Sequence, residues 1–134
     1  MKCLLVDDDD FNRDYIRTLL GESVECKEAE NGRMALDMFT EGIMGGRPFD
    51  LIILDIMMPG MNGHETARAI RDFEKERGVE TGKRVNIVML TALNSPRDAM
   101  ESFCSAQSAA YLVKPVSREK LIAIISKLGL LDKR

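Results

Sequence analysis

Short, largely apolar runs alternate along this chain with stretches in which apolar residues return every three or four positions. Lys2 to Val6 opens the series, and Leu51-Ile52-Ile53-Leu54, Val85 to Leu90 and Tyr111-Leu112-Val113 continue it. The run at Leu51 is apolar on both faces, as a parallel strand covered by helices must be. Val24, Cys26 and Glu28 alternate with charged residues, which predicts a short edge strand. Phe11, Tyr15 and Leu19, with Ile16 and Leu20 alongside, have helical spacing, and Gly21 stops that helix. Asn31-Gly32 turns into a second helix carrying Met34, Ala35, Met38 and Phe39, which Gly45-Gly46-Arg47-Pro48 ends. Pro59 to Gly63 is a loop from which Asn62 caps a helix carrying Ala67, Ile70 and Phe73. The polar segment Glu74 to Arg84 leads to the fourth strand. Ser95-Pro96 starts a helix through Ala99, Met100 and Phe103, and Ser117 caps a last one with Leu121, Ile124, Ile125 and Leu128 on one face.

The series reads as five βα units. Right-handed crossovers place the helices on both faces of a parallel sheet, a doubly wound α/β fold. Sites in such sheets form beyond the carboxyl ends of the strands. A length of 134 residues predicts one domain with its core from about residue 2 to residue 128. A net charge of -3 without a basic run argues against nucleic acid and membrane surfaces as partners. The N-terminal run is no signal peptide, and no stretch approaches the ~20 apolar residues of a membrane span. Cys3, Cys26 and Cys104 are widely spaced without a CxxC, as reduced thiols of a cytoplasmic protein would be.

The strand ends carry the chemistry. Asp7 to Asp10 follow the first strand, Asp55 the third, Thr91 the fourth, and Lys114 with Pro115 the fifth. Asp7 or Asp8 with Asp55 would crowd two or three carboxylates together, and each pair ~4 Å apart repels by ~4 kcal/mol at an effective dielectric near 20. Proton uptake or a divalent cation relieves this. Oxygen donors without His or Cys favour a hard ion, and one or two carboxylates plus a carbonyl and waters describe Mg²⁺. An Asp carboxylate is also a nucleophile towards phosphorus, with Lys114 and Thr91 placed to meet the incoming group.

The runs VDDD, LDIMMPGMNG, MLTA and YLVKP, in that order and spacing, resemble the receiver domain of bacterial two-component response regulators, from about Lys2 to Leu128. The resemblance implies a flavodoxin-like sheet of order 2-1-3-4-5 and a phosphoryl group accepted at Asp55 from phosphohistidine on a sensor kinase or a histidine phosphotransfer protein. It implies Mg²⁺ bound by Asp7, Asp8, Asp55 and the main-chain carbonyl of Met57. Thr91 and Lys114 would contact the phosphoryl group, Tyr111 would be the switch aromatic, and Pro115 would follow a cis bond. The switching face would be the helix after the fourth strand, the fifth strand and the last helix. The segment Ser105 to Ala110 departs from the acidic, Gly-rich stretch usual there, which bears on the output surface. Met57 and Leu93 lie where the family tunes dephosphorylation, and their apolar side chains predict a longer-lived phosphoryl group.

The expected role is that of a phosphoacceptor rather than a turnover enzyme. It would act as a stand-alone shuttle, a phosphorelay intermediate or a receiver cut from a longer protein, with an unidentified downstream partner and a phosphorylation-dependent homodimer left open. An Asp-nucleophile phosphohydrolase would carry a second carboxylate where Met57 stands. A passive Ca²⁺ module leaves Lys114 and Thr91 unexplained. Asp9 and Asp10 are expected on the loop and as a helix cap, and His64 in a packing or surface role. Met57, Met58 and Met61 are expected in loop and core packing. Arg13, Arg68 and Arg71 are expected on solvated helix faces.

Overall fold

Three central strands buried on both faces organise the molecule, whose computed structural model describes residues 1–92 and 110–130. The described strands are β1 (Lys2–Val6), β2 (Glu25–Ala29), β3 (Leu51–Asp55), β4 (Asn86–Thr91) and β5 (Ala110–Val113). The described α-helices are α1 (Asp10–Leu20), α2 (Gly32–Met44), α3 (Gly63–Glu76) and α4 (Arg118–Lys127), with a 3-10 turn at Thr81–Lys83. All strand pairs are parallel and the order is β2-β1-β3-β4-β5, the flavodoxin-like arrangement expected. The expected helix from Ser95 through Phe103, with Leu93 and Cys104, lies outside the described residues.

Successive side chains of a strand point to opposite faces, so each central strand feeds two cores. Leu4, Ile52, Leu54 and Met89 pack against Ala35, Phe39, Ala67 and Ile70 of α2 and α3. Leu5, Leu51, Ile53 and Leu90 pack against Ile16 and Leu20 of α1 and Leu121 and Ile125 of α4. Strand β2 lies at the edge and is half exposed, as its charged alternation predicted. Cys3 is buried and Cys26 half-buried, both free thiols paired across the β1–β2 register. No helix among the described residues is long and apolar enough to cross a membrane.

Local capping follows the sequence. Asp9 caps α1, Asn31 caps α2 and Ser117 caps α4, while Asn62 and Glu65 form a reciprocal capping box at α3. Of the α1 residues with helical spacing, Ile16 and Leu20 are buried and Phe11 is 76% exposed. Two expectations fail. Arg13 and Arg71 are buried rather than solvated, because each finds partners on a neighbouring element. Only Arg68 of the three is exposed. Glu74, expected to begin a polar connection, is 1% exposed and accepts from Arg71 Nη1 at 2.7 Å and the Val85 N–H at 2.7 Å.

Candidate functional site

Sheet register gathers the polar strand ends on one rim. Val6 lies opposite Leu54, so Asp7 and Asp55 are the next residues on adjacent strands. Asp55 lies opposite Leu90, placing Thr91 one step further out, and the Ile56 N–H extends that ladder to the Leu90 carbonyl at 3.2 Å. Thr91 lies opposite Val113, and the Lys114 N–H reaches the Thr91 carbonyl at 2.8 Å. The first strand is continued the same way, by the Asp7 N–H donating to the Ala29 carbonyl at 3.2 Å.

Three of the expected carboxylates converge. Asp7, Asp8 and Asp55 each present an oxygen within 4.8 Å of the others. Asp7 and Asp55 are buried and Asp8 is exposed. Unit charges at that spacing repel by about 3 to 4 kcal/mol per pair at an effective dielectric near 20. Burial pushes the Asp7 carboxyl above the usual carboxylate range, and the Asp55 charge adds to the rise. The Asp9 N–H, donating to Asp7 Oδ1 at 2.9 Å, and the Lys114 charge oppose it. An all-oxygen trio with one carboxyl raised in this way suits a hard divalent cation.

Lys114 joins the trio directly: its Nζ lies 3.0 Å from Asp55 Oδ1, with the ammonium one-third exposed and the carboxylate buried. The Lys114–Pro115 bond is cis, as the resemblance implied. Thr91 is buried beside them on the rim, and its hydroxyl donates to the Ala92 carbonyl at 3.4 Å. The Met57 N–H donates to Asp55 Oδ1 at 3.4 Å, and its side chain is exposed, while Met58 enters the core. Tyr111 sits opposite Met89, half-buried against the core under α2 and α3 rather than at the rim. Asp9 and Asp10 stay out of the trio, the first as the α1 cap and the second paired with Arg13. His64, at the start of α3, is half-buried, and burial with the nearby Arg68 charge pushes its pKa down. A cleft of about 370 Å³ between α1 and the loop after β5 borders the rim and includes Asp7, Tyr15, Lys114 and Val116 in its lining.

Two further positions, neither expected as a site residue from the sequence, shape the site. The Gly63 N–H donates to the Ile56 carbonyl at 3.0 Å, and a Cβ there would stand 2.6 Å from the Asp55 carbonyl oxygen. Arg13 reaches the Asp7 carbonyl from inside α1 at 2.5 Å.

The family model described as the response regulator receiver domain matches residues 3–126. The chain belongs to the response regulator receiver family. A two-component response regulator of rice, ORR41 (Oryza sativa subsp. japonica), is 35% identical over 133 residues, which cover 97% of this chain and 95% of the relative. The receiver domain of Ssk1 from Saccharomyces cerevisiae, solved with the histidine phosphotransfer protein Ypd1, is 32% identical with a TM-score of 0.80 over 96% of this chain and 88% of that one. The receiver domain of the histidine kinase CKI1 from Arabidopsis thaliana, solved with Mg²⁺ and BeF₃⁻, is 27% identical with a TM-score of 0.79, covering 96% and 89%. This receiver spans far less of some other curated relatives, down to 6% of the length of a hybrid histidine kinase from Dictyostelium discoideum.

Proposed function

We propose that this receiver accepts a phosphoryl group on Asp55 from the phosphohistidine of a sensor kinase or histidine phosphotransfer protein. The reading is carried by one observation: a buried carboxylate that faces two others within 4.8 Å also holds an ammonium at 3.0 Å. That pairing of repulsion and attraction makes a pocket for a cation and an anion together. Asp7, Asp8 and Asp55 with the Met57 carbonyl would hold Mg²⁺, which supplies charge neutralisation between carboxylates and phosphoryl oxygens. An Asp55 oxygen attacks phosphorus, the bond from phosphorus to the imidazole nitrogen breaks, and the pair of electrons returns to the ring. Lys114 balances charge on the transferred group, and Thr91, a neighbour on the rim, donates its hydroxyl to a phosphoryl oxygen on leaving the Ala92 carbonyl.

The acyl phosphate adds up to ~2 negative charges at the rim. Lys114 and Thr91 respond together, since the Lys114 N–H is bonded to the Thr91 carbonyl, and Tyr111 follows as β5 adjusts. Such a protein is a signalling phosphoacceptor that does not turn over substrate. We place it in the cytoplasm as one domain, acting as a shuttle, a relay intermediate or part of a longer chain, and altering an unidentified partner or its own dimerisation. Intact mass after acetyl phosphate and Mg²⁺ tests the reading: one added phosphoryl group on the native chain and none on Asp55→Asn. Equal labelling of both would remove Asp55 from the role.

A further inference from the structure

Arg13 occupies an inner position of α1, 8% exposed beside Ile16 and Leu20. A charge is kept in such surroundings only where its donors are used. Its Nη1 donates to the Asp7 carbonyl at 2.5 Å, its Nε to Glu28 Oε1 at 2.8 Å, and its Nη2 to Asp10 Oδ1. Glu28, on β2, is held by Arg17 as well, and the two guanidiniums, Arg13 foremost, pull its carboxyl below the usual range. One planar group therefore ties the end of β1, the first turn of α1 and the edge strand to each other.

We propose that Arg13 is the positioning residue of the cation site, gripping the main chain behind Asp7 and Asp8 so that their carboxylates stay gathered on Asp55. The inference rests on the Mg²⁺ reading above and names the group that makes the site strong enough to bind. Without metal the trio repels itself, and beside proton uptake the repulsion is relieved if the loop after β1 moves outward. The Asp9 N–H to Asp7 Oδ1 bond lies within that loop, travels with it and cannot oppose this. The Asp7 N–H to Ala29 and the Arg13 guanidinium anchor it from outside the loop. The guanidinium fixes direction as well as distance because three donors leave it in one plane. Its bonds go to a carbonyl, Asp10 and Glu28, none of them a carboxylate of the trio, so it acts through backbone geometry.

Titration calorimetry with Mg²⁺ alone, on the native chain, Arg13→Ala, Arg13→Lys and Glu28→Gln, tests this beside thermal melts of the metal-free proteins. Arg13→Ala should weaken Mg²⁺ by about 10- to 100-fold, the usual cost of losing an outer partner of a metal ligand. Arg13→Lys keeps charge but loses the fork, and should stay weak. Glu28→Gln, which turns a charge-assisted bond into a neutral one, should weaken Mg²⁺ in the same direction but by less than Arg13→Ala. Phosphoryl labelling of Arg13→Ala should return to one group at saturating Mg²⁺. A purely structural Arg13 would lower the melting temperature and leave the dissociation constant within twofold of native, which overturns the proposal. Should Arg13→Ala not fold, a native dissociation constant in Arg13→Lys overturns it. No Mg²⁺ binding by the native chain would instead overturn the metal reading beneath it, so the two failures are distinct.

Discussion

Replacing Gly63 by alanine tests how tightly the acceptor strand is held from behind. Gly63 is the first residue of α3, and the helix starts against the end of β3. An added Cβ would lie 2.6 Å from both the Asp55 carbonyl oxygen and the Ile56 Cα, where ordinary contact begins at 3.4 Å. Both are backbone atoms, so no side chain can rotate away, and the end of β3 and the start of α3 must separate by several tenths of an ångström. At this first helical position alanine gains less over glycine than the about 0.5–1 kcal/mol of a helix interior, and overpacking costs about 1–3 kcal/mol. The net expectation is a loss on the order of 1–2 kcal/mol, or several degrees in melting temperature. The functional effect is larger than the loss of stability, because misplacing a reacting group by about 1 Å costs up to ~10²-fold in rate. Labelling by acetyl phosphate at saturating Mg²⁺, followed by intact mass over time, should slow by about 10- to 100-fold in Gly63→Ala. Gly82→Ala is the control, since a Cβ there meets nothing within 4 Å. Native labelling rate together with an unchanged or raised melting temperature in Gly63→Ala would refute the reasoning.

Glu74→Ala should cost about 3–5 kcal/mol in urea or thermal unfolding, because it takes the carboxylate from a buried guanidinium and from the Val85 N–H. A loss under about 1 kcal/mol would mean that this buried pair contributes little beyond its packing. Mg²⁺ affinity and metal-free stability should depend on pH in opposite directions. The folded Asp7 carboxyl is raised above its ordinary value of 3.8 by burial first and Asp55 next. Between that value and the raised one the folded chain holds a proton the unfolded chain has released, so the stabilisation present at lower pH is lost as pH rises through the raised value. Mg²⁺ needs the charged carboxylate, so its affinity climbs through the same window. Calorimetry and metal-free melts across that window should show both trends in the native chain and flatter ones in Asp7→Asn. Trends of equal steepness in Asp7→Asn would assign them to another group.

The strands and the rim were legible because their signals are local. An apolar run ended by a carboxylate, a hydroxyl or an amine needs only its own few residues to be recognised, and parallel register then carries Asp7, Asp55, Thr91 and Lys114 to one edge. Helix caps were legible for the same reason. The inner stripe of α1 was less so, since Phe11–Tyr15–Leu19 and Ile16–Leu20 are neighbouring stripes and only the second is buried throughout. Buried charge was not legible at all. Arg13 is fixed by Glu28, fifteen positions away, and Glu74 by the Val85 N–H, eleven away, and neither partner announces itself in the local pattern.

The same division explains the site. Carboxylates crowded at strand ends can be read in the sequence as a repulsion seeking a cation. What resists that repulsion comes from elsewhere in the chain: Arg13 through the Asp7 carbonyl, Gly63 through its close approach to Asp55, and Lys114 from the last strand. Lys114 differs from the other two because its bond is to the Asp55 carboxylate itself and its ammonium is one-third exposed. In the proposed transfer to Asp55, the added phosphoryl oxygens would compete with Asp55 Oδ1 for the Lys114 ammonium. The Thr91 carbonyl is bonded to the Lys114 main chain, so a movement of Lys114 would be felt on both β4 and β5. Arg13 and Gly63 meet the main chain of Asp7 and Asp55 rather than their carboxylates. The proposed cation side of the site is thus tied through main chain, and the proposed phosphate side through a one-third exposed ammonium.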